Sequence, residues 1–386
     1  MPHYAVGPVP ESTRPAPPFT STVRRCPAEP TRPGVEGAIH NRSGLALYTG
    51  GQWLRNPHSQ RATSPKECHL PQLRQFAQVD VFSAVPFRGN PVAVVLDADG
   101  LDDAQMARIA NWTNLSETTF VLSPTDPSAD YRLRIFTPHR ELPFAGHPTL
   151  GSAAAWCEAG GTPKQDGRIL QECGAGLVDI RRGGPASPST DSPESATGSS
   201  SAEILAFAAP ERLRTGELDE SYVAEIATAL GIDRSDILDH QWVDNGPGWA
   251  AVRLASAEQV LGLSPDFSAI PDAKLGVLGA HAEGSDHEYE IRAFVPGVGV
   301  AEDPVTGSLN ASVAQWLIGA GLAPDSYTAT QGTAIGRAGV ISISAEGTAP
   351  SEDSESAEGS ATTSAVDPTV WVGGATTVCV RGTVSA

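Results

Sequence analysis

R-I-F-T-P at residues 134–138 leads into E-L-P-F-A-G-H-P-T-L-G-S-A-A-A-W at 141–156. R-A-F-V-P at 292–296 leads into G-V-A-E-D-P-V-T-G-S-L-N-A-S-V-A-Q-W-L at 299–317. Each time a strand of the form Arg-x-Phe-x-Pro passes through a short loop to His-Pro or Asp-Pro, and an Ala-rich helix with a Trp follows. Pro148 and Pro304 suit a first helical position, where a missing N–H costs nothing, and this puts His147 and Asp303 at the N-caps. The small residues on both helices imply burial inside wrapped sheet. An echo of this kind predicts an α+β chain of two pseudo-symmetric lobes, each a curved mixed β-sheet around a central α-helix. If the lobes face each other, both helix N-termini open into one cleft and offer unpaired N–H groups to a carboxylate.

Working outward, order begins at Q-F-A-Q-V-D-V-F (75–82), which alternates as a strand does. Residues 1–72 are rich in Pro, Ser, Thr and Arg and lack a hydrophobic period; they read as a disordered appendage, or as an over-long reading of the gene. The first lobe is placed at 73–182 and is completed by a strand near 374–386. A Ser/Pro-rich linker or loop follows at 183–202, then a second lobe at 203–373 with a disordered insert near 346–366. Strands are expected at Pro91–Leu96, Thr118–Leu122, Tyr131–Phe136, Trp249–Leu254, Tyr289–Val295, Gly339–Ser344 and Thr376–Arg381. A hairpin is expected at 168–181, turning at Gly174–Gly176. Helices are expected at Asp102–Trp112, with Asp as N-cap, and at Asp219–Leu230.

Composition narrows the function. The 386 residues carry a net charge of −19. Residues 1–74 hold nine Lys/Arg against four Asp/Glu, so the remainder carries about −24. Nucleic acid and anionic membranes are poor partners for such a body. No apolar run is long enough to span a bilayer, and the N-terminus lacks a secretory core, so a cytoplasmic protein is expected. The five cysteines (Cys26, Cys68, Cys157, Cys173 and Cys379) are irregularly spaced without a CxxC pair, which reads as free thiols in a reduced compartment. His240, His281 and His287 give no metal spacing, and neither a nucleotide loop nor a GxSxG elbow is present. No metal and no cofactor are expected. The run Glu172-Cys173-Gly174-Ala175-Gly176 lies between strand-like stretches with no helix after it, and reads as a hairpin rather than a catalytic loop.

Glu117, in N-L-S-E-T-T-F, sits between a helix and an apolar strand. Partial desolvation there raises a carboxyl pKa and makes a better acid or base near neutrality. From position alone, a surface Glu that caps a turn fits better. His147 and Asp303 could orient substrate and relay protons, or could cap helices, which Asp does well and His poorly. Thr306, Gly307 and Ser308 form a turn able to present N–H and hydroxyl donors; alone they read as an ordinary helix start.

Q-V-D-V-F-S-A-V-P-F-R-G-N-P-V-A-V-V, N-L-S-E-T-T-F, F-T-P-H-R-E-L-P-F-A-G-H-P-T and E-D-P-V-T-G-S, in that order, closely resemble the PhzF-like family of phenazine biosynthesis. Q-G-T-A-I-G-R and V-G-G-A-T-T-V resemble its last strands, so the likeness covers roughly 75–383 apart from the two Ser-rich inserts. The resemblance implies the diaminopimelate epimerase-like fold and a cofactor-independent isomerase acting on a small carboxylated molecule. It implies Glu117 as the acid/base, with His147, Asp303 and Ser308 lining the site, Gly146 and Gly307 at matching backbone positions, and a homodimer. Related epimerases place a cysteine at the start of each central helix. Neither helix start has one here, which disfavours a two-thiol racemase.

Overall fold

The computed structural model describes residues 72–183, 203–298, 301–347 and 368–386. The appendage at 1–72 lies outside the described residues but for Gln72, and so does nearly all of the linker at 183–202 and the insert at 346–366.

The chain enters as β1 (Leu73–Val81) and β2 (Asn90–Val95), then α1 (Asp103–Thr113), β3 (Thr118–Leu122), β4 (Tyr131–Phe136) and the two-residue β5 (Glu141–Leu142). The first central helix α2 (Gly146–Glu158) follows, then the hairpin β6 (Arg168–Cys173) and β7 (Gly176–Arg182), and β8 (Glu203–Ala208). Next come α3 (Glu220–Leu230), β9 (Asp239–Trp242), β10 (Ala250–Leu254), α4 (Ala257–Gly262), β11 (Leu275–Ala280), β12 (Tyr289–Phe294) and β13 (Glu302–Asp303). The second central helix α5 (Gly307–Gly319) precedes β14 (Ser326–Gln331), β15 (Gly339–Glu346) and the long β16 (Thr369–Ser385).

All sixteen strands join one mixed sheet. One arc runs β1-β2-β3-β4-β6-β7-β8-β16 and closes on itself, because β16 also pairs β1. The other runs from β16 through β15-β14-β12-β11-β10 to β9. β16 serves both: Thr369–Gly373 pairs β15 and Thr376–Ser385 pairs β1. It is thus longer than the strand expected at Thr376–Arg381. β8, placed by the sequence at the start of the second lobe, pairs β7 and β16.

Each central helix is the crossover between two parallel strands, α2 between β4 and β6 and α5 between β12 and β14. The alternation in β4 sends Tyr131, Leu133 and Ile135 toward α2; in β12 it sends Tyr289, Ile291 and Ala293 into the same core as α5. α2 is buried from Gly146 through Ala155 because its small residues let strands close in. A Cβ on Gly151 would lie 2.4 Å from Val92 Cγ1. Each large apolar side chain enclosed this way stabilises the fold by about 1.5–3 kcal/mol. A second core unites α3, α4, β10 and β11 under Phe294, and a third seats α1 on Val95, Phe120 and Leu122.

Asp102 caps α1 in a reciprocal capping box with Gln105, as its sequence predicts. The Gly174–Gly176 hairpin is also present, and Cys157, Cys173 and Cys379 are free. The capping expected for the two central helices is not. Ala145 is the N-cap of α2, so His147 and Pro148 are its second and third residues. Thr306 is the N-cap of α5, and Asp303 and Pro304 lie before that helix, with Asp303 in β13. Matching His-Pro to Asp-Pro set the register wrong. The strands align E-L-P-F-A-G with E-D-P-V-T-G, because Glu141 stands opposite Phe136 as Glu302 does opposite Phe294.

Candidate active site

Asn114 ends α1 in the left-handed conformation (φ 54°), which its short side chain tolerates, and its N–H bonds Ala110 O. The chain then returns to β3, held by a 2.6 Å contact between the Thr113 and Thr118 hydroxyls. Glu117 is the last residue of that turn. Its carboxylate Oε2 lies 3.4 Å from His147 Nε2, and the two side chains keep 15% and 6% of their surface exposed. Burial, reinforced by the charge of Asp303 and opposed by a hydrogen bond from Ser116, pushes the Glu117 carboxyl up to about 8. The group is enclosed yet reachable, and its surroundings favour the acid form.

Burial pushes the His147 imidazole down to about 3, against a hydrogen bond to the Pro91 carbonyl. Nδ1 lies on the Asn90 side of the ring, 3.3 Å from Asn90 Nδ2, and Nε2 lies on the Glu117 side.

Asn90 ties these groups to Asp303. Its Nδ2 donates to Val305 O at 2.8 Å and to Asp303 Oδ1 at 3.1 Å, and lies 3.3 Å from His147 Nδ1. Both partners of the amide only accept, which fixes its orientation. The loop just before Asn90 is held by Asp80, whose Oδ2 accepts from the N–H groups of Arg88 and Gly89 at 2.8 and 2.9 Å. Asp303 is pushed up to about 6 by burial, partly offset by hydrogen bonds from Thr306 and Asn90. Its Oδ2 accepts from Thr306 Oγ1 at 2.5 Å.

The two central helices meet at their N-termini. A Cβ on Gly307 would lie 3.2 Å from Gly146 Cα and 3.4 Å from the His147 nitrogen. Neither helix has a side-chain cap: Ala145 has none to offer, and the Thr306 hydroxyl is turned to Asp303. The N–H groups of Gly146 and His147 in α2, and of Gly307 and Ser308 in α5, therefore receive no side-chain cap. Ser308 follows Gly307, and its Oγ accepts from Trp249 Nε1 at 3.1 Å.

The structure thus gathers Glu117, His147, Asp303, Gly146, Thr306, Gly307 and Ser308 around one junction. Asn90, Gln331 and Trp249 were missed as site residues. Gln331 binds Thr306 N, Thr306 Oγ1, Asp303 O and Asn310 Nδ2, and so straps the β13–α5 turn to β14. The Asn before Pro in R-G-N-P, opening a strand buried almost throughout, was the available signal for Asn90. Gln331 and Trp249 gave none. Among the described residues no group of three or more His, Cys, Asp or Glu is arranged to hold a metal, and no helix is long and apolar enough to cross a membrane.

Known proteins resemble this chain in sequence and fold. The phenazine biosynthesis-like (PhzC-PhzF) family matches residues 79–366. Antisense-enhancing sequence 1 of Schizosaccharomyces pombe is 39% identical over 281 residues, 70% of this chain and 90% of that protein. Trans-2,3-dihydro-3-hydroxyanthranilate isomerase of Pseudomonas fluorescens is 35% identical over 279 residues, 72% of this chain and 92% of that protein. A Bacillus anthracis phenazine biosynthesis protein of the PhzF family shares the fold, with a TM-score of 0.63 over 81% of this chain and 99% of that one, at 22% identity.

Proposed function

The chain belongs to the phenazine biosynthesis-like family, and from that premise we propose that it is an isomerase in which Glu117 moves a proton between carbons of a small carboxylated metabolite. The observation that carries this is the Glu117 carboxyl, pushed to about 8 and set 3.4 Å from His147 Nε2. A carboxyl with that affinity takes a proton from carbon and still returns it near neutral pH. His147, neutral across the physiological range, orients the acid form through Nε2. The N–H groups opening α2 and α5 hold the substrate carboxylate and keep it beside Glu117. Asn90 and Asp303 fix the junction. Glu117 has the position and the affinity the transfer requires, so the reading assigns no step to a metal or organic cofactor.

The two arcs of the sheet are read as pseudo-symmetric lobes, and their comparison favours a single-base isomerase over a two-base racemase. Thr118 pairs Phe136 as Leu275 pairs Phe294, so the residue matching Glu117 in the second arc is Lys274. Its ammonium donates to the Pro247 carbonyl. A tethered cation is not a base opposed to Glu117. A homodimer, as the family resemblance implies, and a cytoplasmic location are part of the same proposal.

The test is incubation in heavy water with trans-2,3-dihydro-3-hydroxyanthranilate, the substrate class named by the Pseudomonas relative, and separately with a metabolite extract. One carboxylated compound should gain a single carbon-bound deuterium with the wild type. If none gains more than it does with Glu117→Gln, the chain is a binding protein on this fold and the isomerase reading falls.

A further inference from the structure

Residues 244–249 (D-N-G-P-G-W) form a turn over the start of α5. Asp244 Oδ1 accepts from Gly246 N at 2.8 Å and Gly248 N at 2.6 Å, and Lys274 bonds the Pro247 carbonyl. Both glycines adopt positive φ (132° and 96°), a backbone that other residues rarely take. The Val243 N–H bonds Trp249 O at 3.0 Å, and Trp249 is 3% exposed, so its indole is locked. This turn grips Ser308 twice. Asn245 Nδ2 donates to Ser308 O at 2.9 Å, and Trp249 Nε1 donates to Ser308 Oγ at 3.1 Å.

An indole N–H donates and never accepts. Ser308 Oγ must therefore accept from it, and the hydroxyl hydrogen must point elsewhere. The serine's own carbonyl is taken by Asn245 and by Ser312 Oγ at 2.8 Å, and among the described residues nothing accepts from Ser308 Oγ. The hydroxyl stands at the second residue of α5, beside helix N–H groups that are also donors.

We infer that Trp249 is a positioning residue that fills one acceptor site of Ser308 Oγ and turns the hydroxyl hydrogen toward the ligand, so that the α5 end of the site favours an anionic oxygen over a group that only donates. This rests on the proposed carboxylate site and adds to it the half of the cleft that reads the carboxylate. It also separates the two helix starts by role. The second residue of α2, His147, sets an imidazole beside Glu117, whereas the second residue of α5 presents a donor to the ligand.

Benzoate is the probe. Its affinity is measured by calorimetry on the wild type, Trp249→Phe, Ser308→Ala and the double variant, with benzylamine as the donor-only control. Each single change should weaken benzoate about 3- to 10-fold and narrow its preference over benzylamine. The double variant should bind as Ser308→Ala does, because the indole acts only through that hydroxyl. An equal further loss on adding Trp249→Phe to Ser308→Ala, or no loss in either background, overturns the inference while leaving the carboxylate site standing. No benzoate binding by the wild type removes the carboxylate site and the inference together. Should Trp249→Phe fail to fold, the Trp249 indole ¹⁵N–H resonance decides. It should move on benzoate addition and again in Ser308→Ala, and a resonance unmoved by both sinks the proposal.

Discussion

The turn into α2 and the turn into α5 share a backbone and divide the chemistry. Both begin with an Arg–Glu pair, Arg134–Glu141 and Arg292–Glu302, both continue Glu-x-Pro-x-x-Gly, and both end with glycines in contact. At the matched positions that differ, Leu142 corresponds to Asp303, Phe144 to Val305, Ala145 to Thr306, and His147 to Ser308. The first turn supplies an imidazole beside Glu117. The second supplies a carboxylate, a hydroxyl network strapped by Gln331, and a donor set by Trp249. The two turns agree in what positions the helix ends and differ in what stands on them.

The two ion pairs give the largest expected contrast. Arg292 and Glu302 are 7% and 8% exposed and joined by two hydrogen bonds, and Arg292 also caps carbonyls of Val260 and Leu263. Arg292→Met leaves Glu302 buried and unpaired, and should cost about 3–5 kcal/mol in denaturant unfolding. Arg134 and Glu141 are 22% and 43% exposed. Arg134→Met should cost under about 1 kcal/mol. Equal costs would mean that the two turns are not equivalent parts differing in burial.

The glycines sharpen the comparison. A Cβ on Gly146 would lie 2.7 Å from Phe207 Cζ, and Phe207 is fully buried. A Cβ on Gly307 would meet nothing closer than 3.2 Å. Gly146→Ala should therefore destabilise by about 1–3 kcal/mol and Gly307→Ala by less. A melting-temperature series checks the order, and a reversed order would contradict the packing described for the junction.

Stability should also depend on pH. Glu117 is raised from 4.5 to about 8 and Asp303 from 3.8 to about 6, so folding binds their protons more tightly, and that stability is lost as pH rises. His147 is lowered from 6.5 to about 3, so its contribution is present above 6.5 and lost as pH falls. Below 6.5 the two signs oppose each other. Between 6.5 and 8 Glu117 acts alone of the three, and stability should fall by up to about 2 kcal/mol. Glu117→Gln should flatten that limb. A wild-type limb as flat as the variant's would place the carboxyl in ordinary water.

Much of this was legible in the sequence where one segment decides its own structure. Asp102 and Gln105 are three residues apart and cap α1 without outside help. Tyr131, Leu133 and Ile135 alternate with arginines, and one face had to be core. The small residues of α2 announced a buried helix. The register of the repeat was misread because proline is the most visible residue near a helix start, whereas its two-residue strands β5 and β13 are fixed only by pairing with β4 and β12. Asn90, Gln331 and Trp249 act through partners dozens to hundreds of residues away, and no local spacing encodes such contacts.

The central claim is that Glu117 transfers a proton and does not merely shape the cleft. Glu117→Gln keeps size and hydrogen-bonding shape but has no proton to exchange, and the helix N-termini proposed to hold the carboxylate are untouched. Turnover of the deuterium-accepting compound and affinity for benzoate, measured on both proteins, should show turnover reduced by about 100- to 10,000-fold with benzoate binding nearly unchanged. Near-normal turnover in Glu117→Gln would contradict the account.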